Sequence, residues 1–404
     1  ITAETRSRTT SIPVVRGRVL AFVAVILVSL SIRPAVSGVA PVITLMANDI
    51  PLTAVTIGVL GLIAPVCYSV FGTASPWISG KLTLEWTLVL AMVLLGAGQL
   101  IRATVDTDVA FIFWSFVAIG GIGIANVLLP PLIRRFFPDH FAGMTALYSS
   151  LLATTTFLPS VITPAVAQVT GWREAIGMYF ILAVLALLPL VSLIFIAGTS
   201  RSTVNKELRK SVSRKVWTSP TSWAIAGAFA ISSFFAYTGM SWLPVVLTDR
   251  IGVSIIEAGA ITAVMGSTGL PSNLLVPLIA SKMRNPAWLY LLSGACGSAG
   301  ALGLLLIPGT LTLVWAFLTG LGSMIFALNL YLLNKRTKSQ EGTVVLSGMA
   351  QGIGYAVSAL GPLMFGVLHQ MTGGWDAPLL MLVVAGLGSI PIYAVLRKPV
   401  LVDE

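Results

Sequence analysis

A chain of 404 residues that is 56% hydrophobic and only 9% charged, with a mean hydropathy of +0.95, lies outside the composition of any soluble globular class. That excludes a soluble enzyme or binding module and leaves a polytopic membrane protein. The net charge of +10 needs no nucleic acid to explain it, because the excess falls in short loops that face anionic lipid.

Apolar stretches of about 20 residues, long enough to cross a bilayer, recur almost end to end and leave no room for a separate soluble domain. We expect twelve spans, at 18–47, 53–79, 86–104, 108–133, 142–168, 174–198, 220–247, 255–280, 287–307, 311–334, 343–369 and 376–396. Of the 24 Lys and Arg, 20 fall in the terminal segments and in the loops on the same side. The positive-inside rule then places both termini in the cytoplasm, with the chain in the cytoplasmic (inner) membrane. The first apolar run is a full span without a small-residue cleavage site, so no removed signal peptide is expected. Cys67 and Cys296 lie inside spans as small packing residues.

Span 1 carries Arg33 in its apolar interior, where a charge costs roughly 2.5 to 3.5 kcal/mol on insertion scales and marks a site. Pro34 removes a backbone donor and kinks the helix, and Ser37 and Pro41 follow at i+4 and i+8 from Arg33. A guanidinium offers five donors in one plane and keeps its charge. It therefore suits a carboxylate, a linear anion or an electron-rich ring, or else it ties broken-helix carbonyls together. Span 4 contributes Asn126, and span 5 contributes Tyr148 near its cytoplasmic end as a gating residue.

The longest polar stretch, Arg201 to Pro220, reads as a linker lying on anionic headgroups. Span 7 brings Tyr237, too deep for the interfacial belt, and Trp242, which suits either the cavity or that belt. In span 8, Asn273 sits between Pro271 and Pro277 and suits a helix break. Span 10 contributes Asn329. Span 11 stacks Ser347, Gln351, Tyr355 and Ala359 on one face at i+4 spacing, where Gln351 and Tyr355 bond either a solute or neighbouring helices. His369 lies near its outer end, as a gating or structural residue.

Several of these positions repeat at an offset of 201 to 203 residues: Gln168-Val-Thr-Gly171 with Gln370-Met-Thr-Gly373, Pro76 to Lys81 with Pro277 to Lys282, Pro41 with Pro244, and Asn126 with Asn329. Four pairs in register argue for two six-helix repeats of the same orientation, the parallel plan of secondary transporters. The expected division is an N-terminal six-helix bundle at 1–198, a cytoplasmic linker at 199–219 and a C-terminal bundle at 220–404. Spans 6, 9 and 12 have no charged or amide side chain in their cores and belong against lipid, whereas spans 1, 4, 8, 10 and 11 should surround a path.

What the chain lacks narrows its chemistry. No Asp or Glu falls in the core of a span, and the two histidines, His140 and His369, lie in a loop and at a helix end. No metal cluster, cofactor-binding loop or nucleophile with its base can be read, so neither a cofactor nor an enzymatic role is expected. The expected partners are a small solute and the bilayer, with the protein a monomer.

The motifs Arg33-Pro-Ala-Val-Ser-Gly-Val-Ala-Pro41, Gly123-Ile-Ala-Asn126-Val-Leu-Leu-Pro130 running to Arg134-Arg-Phe-Phe-Pro138, Tyr148-Ser149, Tyr237 with Trp242-Leu-Pro244, and Leu346-Ser-Gly-Met-Ala-Gln351-Gly-Ile-Gly-Tyr355 resemble the major facilitator superfamily and, within it, the cyanate/2-nitroimidazole permease family. The resemblance covers both halves. It implies an all-α integral membrane fold of twelve helices in two six-helix pseudo-repeats, and alternating access with the solute between the bundles. One departure is the loop between spans 2 and 3, where the superfamily has Gly-x-x-x-Asp-Arg-x-Gly-Arg but Gly72 to Lys81 contains no Asp. The expected function is secondary transport of a small polar, anionic or nitro-heterocyclic solute, the alternative a proton-coupled multidrug exporter. Arg33 would be the main cationic contact, beside Asn126, Tyr237, Trp242, Asn329, Gln351 and Tyr355, with Pro34, Tyr148 and His369 in gating.

Overall fold

A computed structural model describes residues 17–52, 54–199 and 206–403. Glu4, Arg6, Arg8, Arg16, Arg201 and Glu404 lie outside the described residues, as do the side chains of Lys206, Glu207 and Arg209. All regular structure among the described residues is helical. Among the described residues ten helices are long and apolar enough to cross a membrane. They are span 1 (Arg18–Ser37), span 3 (Leu84–Arg102), span 4 (Asp108–Phe136), span 6 (Trp172–Ala197), span 7 (Pro220–Ile251), span 8 (Glu257–Lys282), span 9 (Trp288–Leu306), span 10 (Thr312–Lys335), span 11 (Gln340–Thr372) and span 12 (Asp376–Leu396). Span 5 (Phe141–Thr170) crosses as two segments bent by 44° on either side of Pro159, the missing proline N–H being the ordinary cause of such a kink. Span 2 (Ala54–Leu82), a helix of 29 residues, occupies the remaining expected position.

Helix ends follow local chemistry. Thr107 accepts from Ala110 N (3.3 Å) and Ser339 from Gly342 N (2.9 Å), while Ser254 and Glu257 form a reciprocal capping box. Span 1 departs from the expected single rod. It runs as Arg18–Ile32, turns at Arg33, resumes over Pro34–Ser37 and ends in short turns over Ala40–Val42 and Ile43–Met46, because Pro34 and Pro41 cannot donate to the ladder. Span 8 also breaks, at Thr268 between Ile255–Ser267 and Gly269–Lys282, three residues before the first of its prolines.

The two halves use one wiring plan. On the face bearing Arg18 and Leu396, here called proximal, Arg135 at the end of span 4 donates to the Gly198 carbonyl after span 6 (3.1 Å). Arg336 at the end of span 10 donates to the Leu396 carbonyl ending span 12 (2.5 Å). On the distal face Arg173 joins spans 6 and 3 through the Val105 carbonyl (2.7 Å), and Arg250 meets the Leu305 carbonyl (2.6 Å) and Asp376 (2.6 Å). Gln99 ties span 3 to span 6 at the Ile176 carbonyl as Ser298 ties span 9 to span 12 at the Val383 carbonyl. The pairs 3–6 and 9–12 also turn large apolar side chains outward, among them Leu188, Phe195, Leu292 and Val384, as helices against lipid do.

Two ionic residues are buried at the ends of span 3: Arg102 is 1% exposed and Glu85 is fully buried against Arg135. Both sit in the terminal turns of span 3, where neighbouring helices cover them.

Candidate functional site

The break in span 1 decides where the central cation points. Arg33 keeps a helical backbone (φ −92°, ψ −33°), and its carbonyl accepts from Val36 N, Ser37 N and the Ser37 hydroxyl (3.0, 3.0 and 3.1 Å). This turn leaves its side chain free to leave the helix. The guanidinium donates to the Tyr68 hydroxyl at 3.5 Å and lies 5.7 Å from that ring's centre. It stays partly exposed, its Nε has no hydrogen-bond partner, and no described carboxylate pairs with it. The Tyr148, Tyr237 and Tyr355 phenols share its electrostatic surroundings.

Around the guanidinium the two halves meet through aromatic rings. Tyr68 of span 2 packs on Tyr355 of span 11 at 5.1 Å between centroids, and Tyr355 on Phe229 of span 7 at 6.4 Å. The Tyr355 hydroxyl, beside Arg33, makes no hydrogen bond of normal geometry, and the Tyr148 hydroxyl has no partner either. One turn closer to the proximal face, Gln351 donates to Ser347 Oγ (2.9 Å) and to the Asn126 carbonyl (3.3 Å), while the Asn126 Nδ2 is buried and unpartnered. Arg33, Tyr148, Tyr237 and Tyr355 therefore share one region, with Gln351 and Asn126 below it.

The other expected residues stand apart. Asn329 accepts from the Tyr290 hydroxyl at 2.6 Å within the second half. Trp242 donates to the Pro362 carbonyl (2.8 Å) and packs on Phe365 and Trp375, joining span 7 to spans 11 and 12. His369 stacks on Trp375 at 3.7 Å and its Nδ1 donates to the Gly374 carbonyl (3.1 Å). Asn273 presents its backbone carbonyl to the Ser149 hydroxyl (2.8 Å) and does not cap the break in span 8. Tyr68 was not singled out in the sequence, although the depth argument applied to Tyr237 fits it equally: it lies 14 residues from either end of span 2.

The described hydrogen bonds between the halves lie on the proximal side. Arg134 of span 4 donates to the Asn334 and Lys338 carbonyls (3.1 and 2.7 Å) and to the Thr337 and Thr343 hydroxyls (2.6 and 2.7 Å). Ser347 reaches the Val127 carbonyl at 3.0 Å. Asp403 in the C-terminal tail accepts from Lys338 N, Ser339 N and Ser339 Oγ (2.7, 2.8 and 2.6 Å), bracing the loop that Arg134 grips. Burial works against ionisation of Asp403, but these hydrogen bonds outweigh it and hold the carboxyl below its ordinary range. In span 11 every residue from Gly342 to Gly352 is buried, whereas Val357, Leu360, Leu363, Val367 and Met371 are exposed. An apolar groove of about 470 Å³ follows Val161, Ile162, Ala165, Val166, Val169 and Thr170 along the distal half of span 5. These contacts join the halves on the proximal side, while the distal turns of spans 5 and 11 keep apolar side chains exposed. Among the described residues no group of three or more His, Cys, Asp or Glu could hold a metal ion.

Comparison with known proteins gives the same architecture. Residues 22–357 match the family model of the Major Facilitator Superfamily. An uncharacterized transporter of Bacillus subtilis (strain 168) is 30% identical over 373 residues, covering 89% of each chain. The 2-nitroimidazole transporter of Escherichia coli (strain K12) is 27% identical, covering 90% of this chain and 92% of its own, and the cyanate transport protein of the same organism is 23% identical, covering 93% and 97%. A solved structure of a proton:xylose symporter bound to 6-bromo-6-deoxy-D-glucose superposes with a TM-score of 0.75 at 13% identity, covering 96% of this chain and 98% of that one.

Proposed function

The chain belongs to the major facilitator superfamily, and from that membership we propose that it is a secondary transporter for a small polar solute, anionic or nitro-heterocyclic, working by alternating access across the cytoplasmic membrane. Members of this superfamily are transporters and not enzymes. The bundles are 1–198 and 220–404, joined by the linker 199–219. The basic residues concentrated on the proximal side favour a cytoplasmic position for that side; in this reading the joined end faces the cytoplasm and the pathway opens outward.

One observation carries the solute class: Arg33 stands between the halves without a carboxylate partner among the described residues. Its described neighbours are phenols and amides, and the groups left without partners there, Arg33 Nε, Tyr148 OH, Tyr355 OH and Asn126 Nδ2, can all donate. A solute rich in acceptors, with a negative charge or an electron-rich plane, satisfies them; a cation does not. The resemblance to cyanate and 2-nitroimidazole transporters points the same way. Proton-coupled drug export has less support, since Glu85 is already bound to Arg135 at the proximal end of span 3.

Thermal unfolding of the purified protein with 2-nitroimidazole, sodium cyanate and tetramethylammonium tests the solute class. A ligand of the folded state at 100 times its Kd adds about 2.7 kcal/mol of stability. Stabilisation by 2-nitroimidazole or cyanate and none by tetramethylammonium is the expected result; stabilisation by the cation alone overturns the reading.

A further inference from the structure

A second buried cation has no place in the solute contacts just described. Arg102, in the last turn of span 3, is 1% exposed and has no described carboxylate partner. Its Nη2 donates to the Ala35 carbonyl at 2.6 Å, its Nη1 to the Ser115 hydroxyl of span 4 at 3.3 Å, and its guanidinium lies 5.7 Å from the centre of the Phe111 ring. Ala35 belongs to the single turn Pro34–Ser37 that follows Arg33. In a continuous helix Val39 N would serve the Ala35 carbonyl; here Val39 N turns to the Val36 carbonyl at 3.5 Å. Arg102 supplies the replacement donor, and a buried carbonyl without one is costly.

We propose that Arg102 is a positioning residue for solute recognition: by satisfying the Ala35 carbonyl it fixes the broken turn of span 1 and so fixes the direction in which Arg33 leaves the helix. Ser115 and Phe111, both on span 4, hold the Arg102 guanidinium at that carbonyl. The chain thus uses one buried cation to meet the solute and another to hold the backbone that presents it. This inference rests on the reading of Arg33 as the solute contact.

The test compares Arg102→Met, which removes the donors, with Arg102→Lys, which keeps the charge and one flexible donor. Two quantities are read: hydrogen exchange at the Val36 to Val39 amides in the purified protein, and KM and maximal rate for 2-nitroimidazole and cyanate in proteoliposomes. Arg102→Met should speed that local exchange about tenfold and raise KM about tenfold with the maximal rate kept within about twofold. Arg102→Lys should recover most of both effects. Ser115→Ala is the milder form, shifting both in the same direction should Arg102→Met fail to fold. Wild-type exchange in Arg102→Met, a lowered maximal rate at unchanged KM, or Lys and Met variants that behave alike would each overturn the proposal. Arg33→Ala, run alongside, separates the two claims: a wild-type KM there removes the solute-contact reading, and the hold of Arg102 on span 1 is then decided by the exchange rates alone.

Discussion

The Tyr148 and Tyr355 hydroxyls are buried without a hydrogen bond of normal geometry, a state that lowers stability unless function uses it. Removing such a hydroxyl gives up no protein hydrogen bond of normal geometry, so Tyr148→Phe and Tyr355→Phe should keep or slightly raise the unfolding temperature. If the solute accepts from these phenols, each change should weaken its affinity about tenfold, the worth of one buried hydrogen bond; calorimetric binding beside thermal unfolding checks both halves of the prediction. A drop in stability with unchanged affinity would make the phenols structural. Arg33, Tyr237, Gln351 and Tyr355 could be picked from sequence because a polar group deep in an apolar span is conspicuous on its own. Partner choice could not. Trp242 and Asn329 looked equally conspicuous, yet the Pro362 carbonyl occupies the Trp242 indole N–H and the Tyr290 hydroxyl occupies Asn329 Oδ1, leaving only its Nδ2 without a partner. For Arg102, sequence position shows the helix end but not the neighbours that cover it.

At the scale of elements, closure of the proximal face depends on how closely spans 2 and 11 approach. A Cβ at Gly348 would lie 2.6 Å from Pro76 Cγ and 3.0 Å from the Gly72 carbonyl, contacts that leave no room for a methyl group. Gly348→Ala should therefore wedge the proximal seam and favour the state closed at the distal face. Spin labels across the distal mouth, at Val169 and Met371, should move closer together than in the unsubstituted protein; an unchanged distance distribution counts against this seam as the closing contact. The Asp403 brace behaves differently. Its carboxyl is held below the ordinary value of 3.8, so its stabilising effect is complete above that value and lost only as pH falls through the lowered one. Proteolysis of the C-terminal tail should accordingly be constant from about pH 5 to 8 and rise only under stronger acid. Increasing cleavage between pH 7 and 5 would contradict that assignment. The twelve spans themselves were legible in sequence because each is a long apolar run, but the breaks were less so: Pro34 marks the turn in span 1, whereas span 8 bends at Thr268, ahead of Pro271.

For the whole molecule, the repeated offset of 201 to 203 residues implied two like halves, and Arg135 and Arg336 make equivalent contacts at the ends of spans 4 and 10. The proximal closure was not foretold, because a repeat gives the symmetry of the two halves but not the angle between them. In the structure Arg33 stands near the contact of the two halves, with donors around it. The most direct measurement is uptake of 2-nitroimidazole and cyanate into proteoliposomes by the unsubstituted protein and by Arg33→Ala, with unfolding temperatures measured in parallel. Loss of one charge-assisted hydrogen bond weakens recognition by about 1.5 to 3 kcal/mol. The account predicts that Arg33→Ala stays folded and loses about 10- to 100-fold in KM-limited uptake; wild-type uptake by a normally folded Arg33→Ala protein would contradict it.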